Sequence, residues 1–439
     1  MSAAIRAGYK QTEVGVIPGD WEVAPLSNLS EFITSGSRGW ATYYADRGAL
    51  FVRSQNVRDG RLDFADRQFV NAPMGAEGNR TRLKRSDLLI TITGNSVGNV
   101  ALVEEELGEA YISQHVGLVR LSDPSQGSYI CRFLAPGSAG NEQIFASQSG
   151  QSKPGLSLKN LQEFLVALPP VSEQRAIAAA LSDTDALLAK LDELIAKKRN
   201  LKQAAMQQLL TGQTRLPGFG GEWAYKRLKD VAMLNPGINK PISEMGSGVL
   251  YVTVQDLYDG NSIRVNRLGR IRVSESELQT YALIAGDIIF GKSSVKRDGI
   301  GYPSIYLGAV EPAVATGFSY RTRAFKELVD PKFLFYALRW DPTRKWLVDN
   351  SQASALTNIN KSIADSIPIP LPPIDQQIAI ATILSDMDAE LAALKARRDK
   401  TRALKQGMMQ ELLTGRIRLV SPTGQQDATL LDVSSRPSH

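Results

Sequence analysis

The sequence has little of the material from which metal sites and disulfide frameworks are built. Its 439 residues include one cysteine, Cys131, and two histidines, His115 and the terminal His439. A single cysteine excludes an internal disulfide framework and a cysteine-built metal cluster. Two histidines leave almost no ligands for a zinc site. We therefore expect a protein that holds no metal and no cofactor.

Long apolar stretches are also missing. No run approaches the roughly 18 apolar residues needed to span a bilayer, and the opening MSAAIRAGYKQTEVG lacks the apolar core of a signal peptide. The length allows two or three domains, and 43% hydrophobic with 22% charged residues is typical of globular proteins. These features predict a cytoplasmic protein with no membrane partner.

The charge balance is positive, with a formal net charge of +6. One interpretation is a solvated surface. The other is a polyanionic partner, because neutralisation of phosphates by Lys and Arg drives association with nucleic acids. Charge alone does not decide between the two.

The most informative feature is an internal repeat. Shifting the sequence by 203 positions aligns residues 168–216 with residues 371–419 without a gap, with about 28 identities in 49 positions. The shared motifs are LPP, LSDxDA, LKQ and LLTG. Weaker matches, such as DLLI at Asp87 with DIIF at Asp287, extend the repeat towards the whole chain.

Each repeated segment predicts one long helix. Pro-Pro precedes it, and Thr-Gly follows it, with Gly212 and Gly415 expected as left-handed C-caps. About 38 residues lie between these marks, or roughly 57 Å of helix. Both helices carry a heptad-like apolar seam that neither could bury alone, so we predict that they pair as a coiled coil. The seam residues are Ile177, Leu181, Leu187, Leu191, Leu194, Leu201 and Ala205 in the first helix and Ile380, Leu384, Met387, Leu391, Leu394, Met408 and Leu412 in the second.

The regions between the repeated segments have a different pattern. Stretches such as RSDLLITITG and AGDIIFGKSS are short, rich in β-formers and interrupted by Gly, Asn and Ser. They predict mixed α/β domains with many polar loops, and loops on a rigid scaffold commonly carry recognition.

A search for catalytic motifs finds none that is complete. His115, in YISQHVG, has no neighbouring cysteine or second histidine, and GNSVGNV lacks the Lys-Ser/Thr of a phosphate loop. LNPGIN is only faintly similar to the loop of adenine methyltransferases. No catalytic residue is predicted, and we expect the chain itself not to be an enzyme.

The duplicated motif LPPxxxQxxIAxxL…LKQxxMQxLLTGxxRL resembles the repeated regions of type I restriction–modification specificity subunits. With LPGFGGEW, GDII and SGQSKPGLSLKNLQEFLVALPP, the resemblance covers nearly the whole chain. The second copy of the last segment departs from the pattern, since Asn358 and Asn360 stand where the first copy has Gly155 and Ser157.

The resemblance implies an α+β fold. Two mixed α/β target-recognition domains are joined by two long antiparallel helices that form a coiled coil with pseudo-two-fold symmetry. The implied boundaries are residues 1–167 for the first recognition domain, 168–213 for the first helix, 214–370 for the second recognition domain, 371–416 for the second helix and 417–439 for a disordered tail.

The resemblance also implies a function, that of a DNA sequence-specificity subunit. Each recognition domain reads one half of a bipartite, asymmetric site on double-stranded DNA, while the coiled coil sets the gap. The implied protein partners are two methyltransferase (modification) subunits, docked on the helices, and motor–nuclease (restriction) subunits. Two other hypotheses remain open: a non-catalytic coiled-coil scaffold whose side domains bind proteins, and a self-sufficient modifying enzyme.

Candidate DNA contacts are polar and basic loop residues, because Arg suits guanine, Asn and Gln suit adenine, and Lys holds phosphate. In the first domain they are Ser37, Arg38, Arg53, Gln55, Asn56, Arg80, Arg82, Asn95, Gln114, His115 and Lys153, and in the second Asn235, Asn239, Lys240, Gln255, Lys292, Ser293, Lys296 and Arg297. Candidate partner contacts on the helices are Gln174, Leu181, Gln203, Leu210, Gln377, Leu384, Gln406 and Leu413.

Two basic runs on the helices, KKRNLK at Lys197 and KARRDKTRALK at Lys395, have three interpretations. They form a solvated face of the coiled coil, contact phosphates across the gap, or dock a partner.

Overall fold

The computed structural model describes residues 5–58, 60–73, 75–148, 155–353 and 356–420. It divides into two compact units. Unit 1 contains the described residues up to Lys190 and those from Arg397 onward, and unit 2 is Leu191–Ala396. The division falls within both long helices, so each unit contains a part of each helix.

Unit 1 is built on two four-stranded sheets. The first has the order β11-β10-β13-β4 and is antiparallel, and the second has the order β12-β6-β9-β5, with β12 parallel to β6. Its strands are β1 Tyr9–Thr12, β2 Gly15–Pro18, β3 Glu22–Pro25, β4 Ser30–Ser35, β5 Tyr44–Ala45, β6 Ala49–Val52, β7 Val57–Arg58, β8 Arg61–Leu62, β9 Phe69–Val70, β10 Leu88–Thr91, β11 Val100–Leu102, β12 Ala110–Ile112, β13 Val116–Leu121 and β14 Leu165–Leu168. Its short helices are α1 Leu26–Leu29, α2 Ala76–Thr81, α3 Gly127–Leu134, α4 Glu142–Ala146 and α5 Leu158–Glu163.

The first long helix, α6 Val171–Thr211, has 41 residues. Unit 2 then repeats the plan with a four-stranded sheet β16-β23-β19-β21 and a three-stranded sheet β18-β17-β22, in which β17 and β22 are parallel. Its strands are β15 Ala224–Arg227, β16 Ala232–Pro236, β17 Met245–Val252, β18 Gly269–Ile271, β19 Ile288–Gly291, β20 Ser293–Ser294, β21 Pro303–Ile305, β22 Ala313–Ala315, β23 Ser319–Ala324, β24 Gln352–Ala353, β25 Thr357–Asn358 and β26 Pro368–Leu371. Its helices are α7 Leu228–Val231, α8 Glu275–Tyr281, α9 Pro331–Arg339, α10 Asp341–Asn350 and α11 Lys361–Asp365, and α12 Ile374–Leu412 is the second long helix, of 39 residues.

A buried ion pair anchors the central strands of each unit. The Asp87 carboxylate, 1% exposed, accepts two hydrogen bonds from the Arg120 guanidinium at 2.8 and 2.7 Å. Asp287 and Arg323 make the same pair in unit 2, with the same two distances. Because a buried carboxylate without a partner is costly, these pairs fix which strands are neighbours.

The long helices end where the sequence predicts. Gly212 and Gly415 have φ angles of +70° and +67° and provide the left-handed C-caps. Asp330 also caps α9 as expected for Asp-Pro, since its carboxylate accepts the Phe333 amide at 2.9 Å.

The two long helices pack antiparallel within each unit. In unit 1, Asp185 in the first half of α6 pairs with Lys405 in the second half of α12, at 2.5 Å. In unit 2, Lys202 in the second half of α6 pairs with Asp388 in the first half of α12, at 2.6 Å. Both pairs join the same two positions of the repeat, and the predicted pairing of the helices is confirmed.

The predicted seam is partly wrong. Leu187, Leu194 and Leu201, spaced seven residues apart, are 38%, 38% and 47% exposed. Leu191, which the predicted seam includes, is buried, and so is Ile195, which the prediction leaves out. An α-helix has 3.6 residues per turn, so the face that meets the core drifts away from a strict seven-residue spacing, and the repeated leucines lie outside it.

A hydrogen-bonded cluster, here called the clasp, closes unit 1. The Trp21 indole, fully buried, donates to Glu173 Oε2 at 3.3 Å. Arg418 donates to both Glu173 oxygens at 2.7 and 2.8 Å and to both Asp20 oxygens at 2.9 and 2.8 Å. The clasp therefore ties the chain after α12 to the first residues of α6 and to the segment before β3.

Unit 2 contains a neutral version of the clasp. The Trp223 indole and the Arg215 guanidinium both donate to Gln376 Oε1, each at 3.2 Å. Gln376 occupies the repeat position of Glu173, so one arrangement is ionic and the other is not.

Of the tail predicted for residues 417–439, residues 421–439 lie outside the described part of the chain. Among the residues that are described, none of the helices combines the length and hydropathy required of a membrane span.

We expect Arg418→Ala to lower the free energy of unfolding by roughly 3 kcal/mol, because it leaves the buried Glu173 carboxylate without its cation. Arg215→Ala is the matched control and should cost about 1 kcal/mol, the usual value for a hydrogen bond to a neutral acceptor. Urea denaturation of the two variants measures both. Equal losses would contradict the ionic role of the clasp.

The effect of Arg418→Ala should also depend on pH. Hydrogen bonding by the Arg418 side chain lowers the pKa of Asp20 from its ordinary value of 3.8. A carboxylate with a lowered pKa stabilises the fold above its ordinary pKa and loses that contribution as the pH falls through the lowered value. The part of the difference that comes from Asp20 should therefore disappear in acid.

Candidate nucleic-acid interface

The topology of unit 1 brings several loops to one edge of its sheets. The register pairs Ser35 at the end of β4 with Gly117 and Thr91 at the end of β10 with Val116. The parallel strands β6 and β12 end at the same place, where the Ser113 amide donates to the Val52 carbonyl at 2.9 Å. We call this set, residues 35–38, 53–56, 93–97 and 113–115, the recognition edge of unit 1.

Most candidate residues of the first domain lie on or against this edge. Arg80, from α2, is held there because its guanidinium donates to the Ser35 carbonyl at 2.6 Å, to Ser37 Oγ at 2.9 Å and to the Thr34 hydroxyl. The edge thus gathers Ser37, Arg38, Arg53, Gln55, Asn56, Arg80, Asn95, Gln114 and His115. Arg82 lies apart from it, in an extended segment paired with Tyr111, and Lys153 lies outside the described residues.

His115 is exposed and oriented. Its Nδ1 shares a hydrogen bond with the Thr93 hydroxyl, and its Nε2 lies 3.2 Å from the Gln114 amide nitrogen. Its carbonyl accepts the Ile92 amide at 2.9 Å, which fixes the backbone to the end of β10. An imidazole and an amide side by side can donate and accept hydrogen bonds in the plane of a base edge.

Two of the predicted contacts have internal roles instead. Asn56 is 2% exposed, and its amide donates to the carbonyls of Asp63 and Asp66 at 2.8 and 2.9 Å. Ser37 is also buried and accepts from Arg80. The hydrogen bonds of these side chains shape the loops, so the prediction that they contact bases is corrected to a supporting role.

Unit 2 forms an equivalent recognition edge. The register pairs Pro236 at the end of β16 with Tyr320, and Gly291 at the end of β19 with Ser319. The link between β22 and β23, residues 316–318, occupies the place of residues 113–115. A Cβ at Gly317 would lie 1.8 Å from Asn239 Oδ1, so a larger residue there would require the Asn239 side chain to move.

The candidate residues of the second domain differ in whether their side chains already make contacts within the chain. The Lys292 ammonium donates to the Gly317 carbonyl at 2.6 Å, and burial lowers its pKa. Lys240 forms an ion pair with Glu277 at 2.8 Å. Lys296 and Arg297 are exposed beyond β20. The remaining candidates, Asn235, Asn239, Gln255 and Ser293, lie in or next to the segments that form this edge.

Six of the eight predicted partner contacts are buried in the chain itself, which corrects them to packing residues. Gln174 donates to the Pro169 carbonyl and Gln377 to the Pro372 carbonyl, at 2.9 and 2.8 Å, so each amide fixes the entry to its long helix. The four leucines belong to the hydrophobic cores, Leu181 and Leu413 in unit 1 and Leu210 and Leu384 in unit 2.

Gln203 and Gln406 remain exposed on the long helices. Gln406 donates to the Gly137 carbonyl at 2.8 Å, and Gln203 lies 3.4 Å from Asp341 Oδ2. A leucine stands two residues before each of them. The predicted seam includes Leu201 but not Leu404. Leu201 and Leu404 are identical in the repeat yet 47% and 61% exposed. The sequence signal for these leucines is their identity in the two copies of the repeat. That identity does not show whether they are buried or exposed, and the structure does.

Comparison with known proteins gives a consistent result. The family model described as "Type I restriction modification DNA specificity domain" matches residues 19–199 and 220–401. The putative type I restriction enzyme MjaX specificity subunit of Methanocaldococcus jannaschii is 23% identical, covering 94% of this chain and 97% of the relative. The type I restriction enzyme EcoKI specificity subunit of Escherichia coli is 22% identical over 65% of this chain and 64% of the relative.

Solved structures share the fold. The type I restriction–modification S subunit from M. genitalium superposes with a TM-score of 0.58 at 16% identity, covering 89% of this chain and 96% of that one. A chain from a study of complex assembly in the type I R-M system gives 0.55 at 19% identity, covering 91% and 99%. These likenesses agree with the predicted α+β fold class.

The two matched segments together span far more than half of the chain, and they correspond to the two copies of the internal repeat with their recognition edges. The chain therefore belongs to the type I restriction modification DNA specificity domain family and carries that domain twice.

Proposed function

We propose that this chain is the DNA sequence-specificity subunit of a type I restriction–modification system, in which unit 1 and unit 2 each read one half of a bipartite site on double-stranded DNA. One observation carries the proposal. Two units of the same topology present different side chains at the same edge. Since different side chains select different bases, the two half-sites differ and the site is asymmetric.

The chemistry of the edges supports DNA as the ligand. Unit 1 presents Arg38, Arg80 and Gln114, and unit 2 presents Lys296 and Arg297. Guanidinium and amide groups match the major-groove edges of guanine and adenine, and ammonium groups hold phosphates. The net charge of +6 agrees with a polyanionic partner.

In this proposal the chain selects the sequence, and partner subunits perform the chemistry. Two methyltransferase subunits modify the site, and motor–nuclease subunits complete the restriction enzyme. The long helices set the gap between half-sites: 41 residues correspond to roughly 60 Å of helix, longer than the roughly 34–36 Å of one DNA turn.

The exposed residues that the repeat preserves support docking of two equivalent partners. Leu201 and Gln203 in unit 2 correspond to Leu404 and Gln406 in unit 1, and all four are exposed. An apolar side chain that is present in both copies but buried in neither suits a contact with another protein. Because the positions are equivalent, the two partners are expected to be copies of one protein.

The proposal is tested by mapping the sequence that the chain selects. We expect Gln114→Ala combined with His115→Ala to relax one or two base positions within a single half-site by roughly 10- to 100-fold and to leave the other half-site unchanged. The measurement is selection from randomised DNA by the chain bound to its methyltransferase. Lys159→Ala, an exposed change on α5, is the control.

The pattern of change distinguishes the hypotheses. A complex that prefers no DNA sequence would overturn the proposed function and favour a protein-binding scaffold. If both half-sites changed together, the assignment of one half-site to each unit would be wrong.

Docking is tested at the repeated leucines. We expect Leu201→Ser and Leu404→Ser each to remove one of two methyltransferase subunits, and the double change to remove both, with little loss of fold stability because the side chains are exposed. Mass measurement of the purified complexes reports the stoichiometry. Leu187→Ser is the matched control, since Leu187 is exposed but Glu390 replaces it in the second copy. Two subunits on every variant would contradict this docking surface.

A further inference from the structure

The two recognition edges differ in chemistry at two equivalent positions. Unit 1 has Asn95 and His115, and unit 2 has Val295 and Phe318. All four side chains are exposed, so the difference is one of surface chemistry. Unit 1 presents hydrogen-bonding groups where unit 2 presents apolar ones.

Backbone contacts establish the equivalence. The Lys292 amide donates to the Phe318 carbonyl at 2.9 Å, as the Ile92 amide does to the His115 carbonyl. Val295 stands four residues beyond the end of β19, and Asn95 stands four residues beyond the end of β10. Both pairs therefore occupy the same places at the ends of matching strands.

Phe318 is held outward on a rigid link. The neighbouring Gly317 donates to the Ile238 carbonyl at 2.7 Å and accepts from the Lys292 ammonium at 2.6 Å. The Phe318 side chain is nevertheless 67% exposed. A ring fixed on a constrained backbone but largely unburied contributes little to the core, and it is ready to contact a ligand without a loss of backbone entropy.

Val295 is a second exposed apolar side chain of unit 2. It is 86% exposed and lines a cleft of about 690 Å³, which Tyr258, Tyr302 and Leu356 also line. The rings of Tyr258 and Tyr302 stack, with centroids 6.4 Å apart. Lys296 lines the same cleft, so a cation that suits phosphate stands directly beside Val295.

We propose that unit 2 reads its half-site in part through the 5-methyl groups of thymine, which Phe318 and Val295 contact in the major groove. This inference rests on the proposed function. The thymine methyl is the apolar group that base edges offer in that groove, and it is what distinguishes thymine from cytosine or uracil at C5. Unit 1, with Asn95 and His115 in these places, selects its bases by hydrogen bonds.

The test uses the complete chain bound to its methyltransferase. After the site is selected from randomised DNA, thymine is replaced by deoxyuridine in one half-site at a time, which removes only the methyl groups. The Gln114 and His115 double variant identifies the half-site that belongs to unit 1. In the half-site of unit 2, we expect each replacement of a contacted thymine by uracil to weaken binding about four-fold. Each replacement removes the burial of roughly one methylene group, and four-fold is the change in affinity that this burial is worth.

Substitutions of phenylalanine connect the effect to the residue. Phe318→Ala should reduce the preference for thymine over uracil, because the methyl contacts that its ring makes are gone. Phe325→Ala is the matched control: Phe325 is a partly exposed ring just beyond the other end of β23, and its loss should leave the preference for thymine intact. Val295→Asn should likewise reduce the preference.

The outcomes separate this inference from the proposed function. A half-site of unit 2 without thymine, or one in which uracil binds as well as thymine, would overturn methyl recognition while leaving bipartite recognition in place. Absence of any sequence preference would overturn the proposed function itself. A preference for thymine that survives Phe318→Ala and Val295→Asn would overturn the assignment to these residues.

Discussion

The antiparallel packing of the two long helices is the interaction on which the rest of the structure depends. In unit 1, Ile177 and Leu181 of α6 share one core with Leu412 of α12 and Leu413 just beyond it. Unit 2 is built in the same way from the other ends of the two helices. Burial of each such leucine is worth roughly 1.5–3 kcal/mol. Neither unit has a complete core without residues from both helices.

This frame leaves the recognition edges free to differ. The elements that the two units share are buried and mutually dependent, such as the Asp87–Arg120 pair and its counterpart Asp287–Arg323. Most of the edge residues hydrogen bond within their own loops or extend into solvent. A change from His to Phe at the link between strands therefore alters what an edge can bind without disturbing the sheet beneath it.

The sequence alone was sufficient for the long helices, their glycine caps and the duplicated plan, because local chemistry and an ungapped repeat specify them. The sequence was insufficient to identify the buried face of α6. Leu194 and Ile195 are adjacent and both apolar, and only tertiary packing decides that Ile195 is the buried one. The loops show the same limit. Gln55 and Asn56 are adjacent and both polar, yet Asn56 is buried and its amide donates to carbonyls seven and ten residues later. Such long-range bonds leave no local signature.

The clasp has a consequence for biosynthesis. Unit 2 is one uninterrupted stretch, Leu191–Ala396, whereas unit 1 needs Arg418 before Glu173 and Asp20 receive their cation. The ribosome delivers the chain from the N-terminus. Unit 1, whose first residues are translated first, therefore completes its fold last. Until Arg418 has been synthesised, Trp21 and the neighbouring core lack part of their packing and hydrogen bonds.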